Sequence, residues 1–212
     1  MHLYTGIGVA LGFAVGLLGH EYVQHRVAFA LGDRTPKLMG RMQLGPNAHF
    51  DPLGMAVLPA LFVFVALFAS APYNPMFGYG KPHALTRSLL RNPKRHWVLV
   101  SIAGPAAPML VGIVTGNIAR SMGPSDGAAE LLAWMTITLM TLAVLELLPL
   151  PGMDGGRILG MFLKPSASMR MDELAPYKAM FLLVIFIFDP LRDAVVGLIR
   201  VVCDAVAAGV CG

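Results

Sequence analysis

Residues 3–31 read LYTGIGVALGFAVGLLGHEYVQHRVAFAL. From Leu3 to Gly19 there is no charge, and then His20, Glu21, His25 and Arg26 follow in the same helical stretch. An uncharged run that continues into helix is a candidate membrane span. An acid at the centre of such a helix costs roughly 2.5–3.5 kcal/mol on insertion scales, so several ionisable groups together need a metal, a counter-ion or a water cavity. The stretch therefore bears on the solvent of the fold and on its chemistry at once.

Composition extends the reading to the whole chain. Of 212 residues, 56% are apolar and 13% are charged, where soluble domains carry about a quarter charged residues. Further apolar runs follow at 53–72, interrupted by Pro59, at 97–118, at 128–148 with Glu130 and Glu146 near its ends, and at 180–210, broken by Asp189-Pro190. The expectation is an all-α polytopic membrane helical bundle. It would form a single integral membrane domain, 1–212, with about four to six apolar segments. The opening run lacks the basic start and small-residue cleavage site of a signal peptide, so it is expected to stay as the first span. Cys203 and Cys211 belong to no close Cys/His cluster and are expected as free thiols.

The net charge of +4 does not point to nucleic acid, because the basic residues sit in loops between apolar runs without interleaved aromatics. They are expected to face lipid headgroups and set the topology. Arg34, Lys37 and Arg41 follow the first run; Lys81, Arg87, Arg91, Lys94 and Arg95 precede the third; Arg157, Lys164, Arg170 and Lys178 follow the fourth. If every run crossed the membrane, the first two of these loops would lie on opposite sides. A re-entrant segment at 53–72 puts all the basic loops on the cytoplasmic side, and irregular backbone at depth is tolerated when protein covers it. The chain is thus expected to be a multi-pass membrane protein in which His20 and Asp154 approach from the same side.

Two constellations carry chemistry. The first is Gly19-His20-Glu21-Tyr22-Val23-Gln24-His25-Arg26. On a zincin helix two His at i and i+4 bind zinc and a Glu acts as general base. Here position i+4 from His20 is Gln24, and His25 is at i+5, about 140° around an ideal helix from His20. Only a π-bulge would turn His25 to the same side; otherwise it lies near the membrane surface and snorkels. The second is Glu146-Leu147-Leu148-Pro149-Leu150-Pro151-Gly152-Met153-Asp154-Gly155-Gly156-Arg157. Its prolines forbid regular helix, and Gly155-Gly156 let the backbone pass tightly behind Asp154. His49 reads as a group ordering the start of the second run, and His83 and His96 as interfacial loop residues. The glycines at 6, 8, 12, 16 and 19 suggest close contact with a neighbouring helix or a substrate helix.

These constellations resemble the site-2 protease family of intramembrane zinc metalloproteases in its compact form. The family's His-Glu-x-x-His helix is similar to His20–Gln24, and its Asn-x-x-Pro-x-Pro-x-x-Asp-Gly segment to Glu146–Gly155. Leu31-Gly32-Asp33, His49-Phe50-Asp51-Pro52, Gly80-Lys81-Pro82, Arg91-Asn92-Pro93 and Ala103-Gly104-Pro105 resemble family landmarks in the expected order. The resemblance implies one zinc ion with His20 and Asp154 as ligands and Glu21 as base. It also implies a membrane protein or peptide substrate, with Glu146, Pro149 and Gly155 near it.

The departures are Gln24 in place of the second histidine, Glu146 in place of Asn, Pro108 in place of a further Asn, and Gly152 in place of Pro. Catalytic zinc usually takes three protein ligands and a water. The third ligand would be His25 through a π-bulge, Glu146, or the amide oxygen of Gln24. A chain without a tight metal site would instead be a catalytically impaired scaffold or regulator that binds membrane helices. An ion or proton transporter using Glu21, Glu146 and Asp154 ranks below both, since no internal repeat is visible.

Overall fold

A computed structural model of the chain describes residues 3–43, 45–61, 78–81, 85–123, 126–206 and 210. The described residues are helical with no strand, so the all-α bundle is what forms. Three helices are long and apolar enough to cross a membrane: Leu3–Ala30, Arg95–Ser121 and Gly127–Glu146. Each packs against the other two.

The opening helix presents an inverted polarity. Leu3, Ile7, Leu11 and Val15 recur every four residues and are all exposed, while His20, Glu21, Gln24 and His25 are buried. The Arg95–Ser121 helix likewise exposes Leu99, Ile102, Leu110, Val114 and Ile118. In water such apolar stripes would be a liability. In hydrocarbon they are the solvated face, and the polar groups must be satisfied inside.

Small residues set the helix spacing. A Cβ on Gly8 would strike the Leu131 carbonyl, one on Gly12 would lie 2.8 Å from the Met135 oxygen, and one on Gly16 would lie 2.6 Å from a Leu142 methyl. The contacts advance together along both chains, so the opening and Gly127–Glu146 helices run parallel, backbone close to backbone, as small-xxx-small stripes permit. Gly19 meets nothing within 4 Å and leaves this seam. Thr115 and Thr136 hydrogen-bond at 2.8 Å between the other two helices, which run antiparallel.

The opening helix stops in a Schellman motif. Gly32 takes φ +117°, its N–H reaches the Phe29 carbonyl, and the Asp33 N–H reaches that of Ala28. The Asp33 carboxylate then accepts from the N–H groups of Thr35 and Thr86. With the Arg91 N–H bonded to the Leu31 carbonyl, the basic segments after the first helix and before the second lie at one end of the bundle.

Of the segment expected to be re-entrant, residues 62–72 lie outside the described residues. Its beginning is a π-turn, Leu53–Val57. The Tyr79 N–H reaches the Gly54 carbonyl and the Lys81 N–H that of His49, so the stretch 49–54 and the stretch 79–81 lie side by side. The C-terminal region breaks at Asp189-Pro190 into Lys178–Ile187 and an amphipathic Asp189–Val206. Cys203 is disulfide-bonded, which corrects the expectation of free thiols.

Gly12→Leu should lower stability by about 2 kcal/mol through overpacking of the parallel seam, whereas Gly19→Ala should be neutral or slightly stabilising. Thermal unfolding in detergent micelles reads both. Equal shifts would show that the stripe does not set the spacing.

Candidate metal centre

Three elements bring the polar groups together. The opening helix carries His20, Glu21, Gln24 and His25 on its inward side. Glu146 is the last residue of the Gly127–Glu146 helix. After it the chain turns through Pro149 and Pro151, and Asp154 opens a short helix, Asp154–Gly160. The fold-back is tight. A Cβ on Gly155 would strike the Leu147 carbonyl and one on Gly156 that of Leu150, so Gly155 serves packing of the turn. Gly152 has φ +80°, a conformation closed to proline, whose ring fixes φ near −65°.

The Asp154 carboxylate is wholly buried and fully engaged. Its Oδ2 lies 2.7 Å from His20 Nε2. Its Oδ1 accepts from Gln24 Nε2 at 2.7 Å and from Arg157 Nη1 at 2.8 Å. Burial pushes this carboxyl up, but Arg157, then His20, then Gln24 more than offset that and hold it below its ordinary range. Because Gln24 turns its NH₂ to Asp154, its carbonyl oxygen faces Arg157 at 3.5 Å. The Arg157 guanidinium also lies 5.7 Å over the Trp97 ring.

Glu146 joins this group. His20, Glu146 and Asp154 each offer one ligand atom, all within 4.8 Å of one another. Oε2 of Glu146 is buried and has no hydrogen-bond partner among the described residues. An orphaned carboxylate oxygen beside an imidazole and a second carboxylate fits a divalent ion, and N/O donors suit zinc. A buried lysine, Lys178, stands close enough to feel Glu146; burial lowers its pKa and the carboxylate opposes that.

His25 goes elsewhere. The opening helix is α-helical from Leu3 to Ala30, with no π-bulge, so His25 does not turn toward His20. Counted from Glu21 it is at i+4, and it groups with Glu21 and His49, again within 4.8 Å. Nδ1 of His49 lies 2.8 Å from Glu21 Oε2 and its Nε2 donates to the Gln43 carbonyl at 2.7 Å. The Glu21 contact raises the His49 pKa, against burial and with help from the Gln43 carbonyl. The two imidazoles stack with centroids 6.2 Å apart. The sequence alone puts His49 at the start of the next run and does not show its pairing with Glu21; for His25 the signal was its i+4 spacing from Glu21.

Two further landmarks prove to be steric allowances. A Cβ on Gly80 would strike the Glu21 carboxylate, and one on Gly104 would lie 2.6 Å from His20 Nε2 and 2.9 Å from Gln24 Nε2. His96 accepts from the Asn92 N–H; His83 lies outside the described residues. A cavity of about 390 Å³ opens beside the site, with Asp51, Tyr79, Arg157, Asp172 and Lys178 on its walls. Arg157 stands between it and Asp154.

Arg157→Met should cost about 3 kcal/mol, since it strips a buried carboxylate of its cation. Arg192→Met, at the exposed pairs with Asp189 and Asp193, should cost less than about 1 kcal/mol. Denaturant midpoints in micelles compare the two; similar costs would show that Asp154 does not depend on Arg157.

No family model matches the chain, and no solved structure matches it. Curated proteins do. The chain is 29% identical over 195 residues to "Putative zinc metalloprotease YwhC" of Bacillus subtilis, covering 87% of this chain and 80% of that protein. It is 26% identical over 202 residues to "Putative zinc metalloprotease Rip2" of Mycobacterium tuberculosis, covering 92% and 73%. A 76-residue stretch is 42% identical to a "Putative zinc metalloprotease" of Chlamydia trachomatis, 12% of that protein. Over most of its length, then, the chain is a relative of proteins named as zinc metalloproteases, which are members of the site-2 protease family.

Proposed function

We propose that the chain is a membrane-embedded zinc peptidase that hydrolyses peptide bonds of transmembrane or membrane-proximal substrates. One observation carries the reading: an imidazole and a carboxylate 134 residues apart in sequence meet at 2.7 Å beside a second, orphaned carboxylate, on a chain related to named zinc metalloproteases. His20, Asp154 and Glu146 would hold the ion, and the third ligand is Glu146 rather than His25 or Gln24. Zinc there supplies Lewis-acid polarisation of a carbonyl and acidifies water.

The remaining chemistry belongs to side chains. Glu21 is next to His20 on the helix and takes the proton from the attacking water, then returns it to the leaving amine. His49 Nδ1 holds Glu21 at Oε2, which leaves Oε1 to move the proton. Gly80 and Gly104 make the room in which Glu21 and His20 sit. Arg157 separates the site from the adjoining cavity, so a substrate strand arriving that way passes its guanidinium. We place the end of the bundle that carries the basic segments in the cytoplasm, following the positive-inside tendency.

A second reading has its own support. Gln24 and Arg157 already satisfy Asp154 without a metal, as expected of an impaired relative that binds membrane helices as a scaffold.

Metal content separates the two. The purified chain should carry zinc; His20→Ala and Asp154→Ala should lose it from this site, and Glu146→Gln should weaken it. Glu21→Gln should keep this zinc and lower cleavage of a transmembrane-helix peptide by at least about 10²-fold. Gln24→His should tighten zinc, because it adds an imidazole to the ligand set. Zinc content that none of the ligand variants changes would defeat the assignment.

A further inference from the structure

The group formed by Glu21, His25 and His49 lies apart from the His20–Asp154 contact, and no step above uses His25. We propose that these three side chains bind a second divalent cation of the zinc class. The Gln43 carbonyl only accepts, so Nε2 of His49 carries a hydrogen. Nδ1 of the same ring then faces Glu21 Oε2 at 2.8 Å. A ring nitrogen and a carboxylate oxygen of this kind are both zinc donors.

A metal ion takes a third donor, and His25 provides one. A nitrogen of its ring lies within 4.8 Å of both other ligand atoms, and it shares a helix face with Glu21 because the two are four residues apart. The Nε2–H bond to the Gln43 carbonyl is the outer support that metal-bound imidazoles make. Two imidazoles and one carboxylate form a known zinc ligand set, and all three side chains are buried. Tetrahedral zinc ligands sit about 3.3 Å apart, so binding widens the Glu21–His49 gap by roughly half an ångström. Binding also makes Glu21 a ligand. On the peptidase reading, on which only this consequence rests, a loaded second site withdraws the base and stops turnover.

Equilibrium dialysis against zinc in detergent micelles, followed by elemental analysis, tests the site. The intact chain should bind two ions, Asp154→Ala one, His25→Ala one, and the double variant none. If Asp154→Ala removes all zinc and His25→Ala binds as much as the intact chain, the second site is overturned and the first stands. If His25→Ala removes all zinc and Asp154→Ala changes nothing, the second site stands and the first falls. Zinc-edge X-ray absorption on the Asp154→Ala chain avoids any dependence on a folded His25 variant. Two imidazole ligands are expected there, and fewer than two overturns the proposal.

Discussion

A carboxylate at zero exposure cannot stand in this bundle alone, and the arrangement around Asp154 answers that demand. His20, Gln24 and Arg157 each approach it within 2.8 Å. These contacts tie the opening helix to the turn that follows the third span. Without them the two would be held only by apolar packing, which has little driving force between helices in lipid. The polar cluster is thus a structural tie as well as a candidate site. The groups around Asp154 are tolerable because they are matched, and Oε2 of Glu146, which has no hydrogen-bond partner among the described residues, is where a ligand is argued.

The bundle positions the tie through small residues. The glycine seam along Gly8, Gly12 and Gly16 holds the opening helix parallel to the helix that ends in Glu146. Parallel packing brings the polar end of one helix to the end of the other. Gly104 on the intervening helix then leaves space for His20 and Gln24, and Gly80 leaves space for Glu21. In each case an added methyl would move a ligand or a base rather than weaken the fold at random.

Much of this was legible in the sequence, for physical reasons. The uncharged run before His20 marks a span because hydrocarbon tolerates little else. The Pro/Gly turn marks a stiff approach for Asp154 because prolines forbid helix there. The glycine spacing marks a close seam. What escaped notice depended on reference points. Measured from His20, His25 faces away; measured from Glu21, it is a neighbour. His49 lies 28 residues from Glu21, and no local pattern ties them. The role of Arg157 was also hidden, because a basic residue after the fourth run reads as a topology signal. Its buried contact with Asp154 appears only when the turn folds back.

The substitution of Gln for the expected second histidine has a consequence that follows from hydrogen-bond chemistry alone. A histidine at position 24 presents a lone pair to a cation. A glutamine presents either an oxygen, a weak ligand, or an NH₂ group, which repels a cation and seeks an acceptor. Here it gives the NH₂ to Asp154 and turns its oxygen to Arg157. The glutamine and the arginine therefore act together, both competing with a metal for one carboxylate oxygen. Oδ2, His20 and Glu146 remain on the other side of that carboxylate. A cation bound there replaces the proton shared by His20 and Asp154 and leaves the Gln24–Arg157 contacts intact. The extra negative charge of Glu146 offsets the lost imidazole, which is why the two departures from the family pattern make physical sense as a pair.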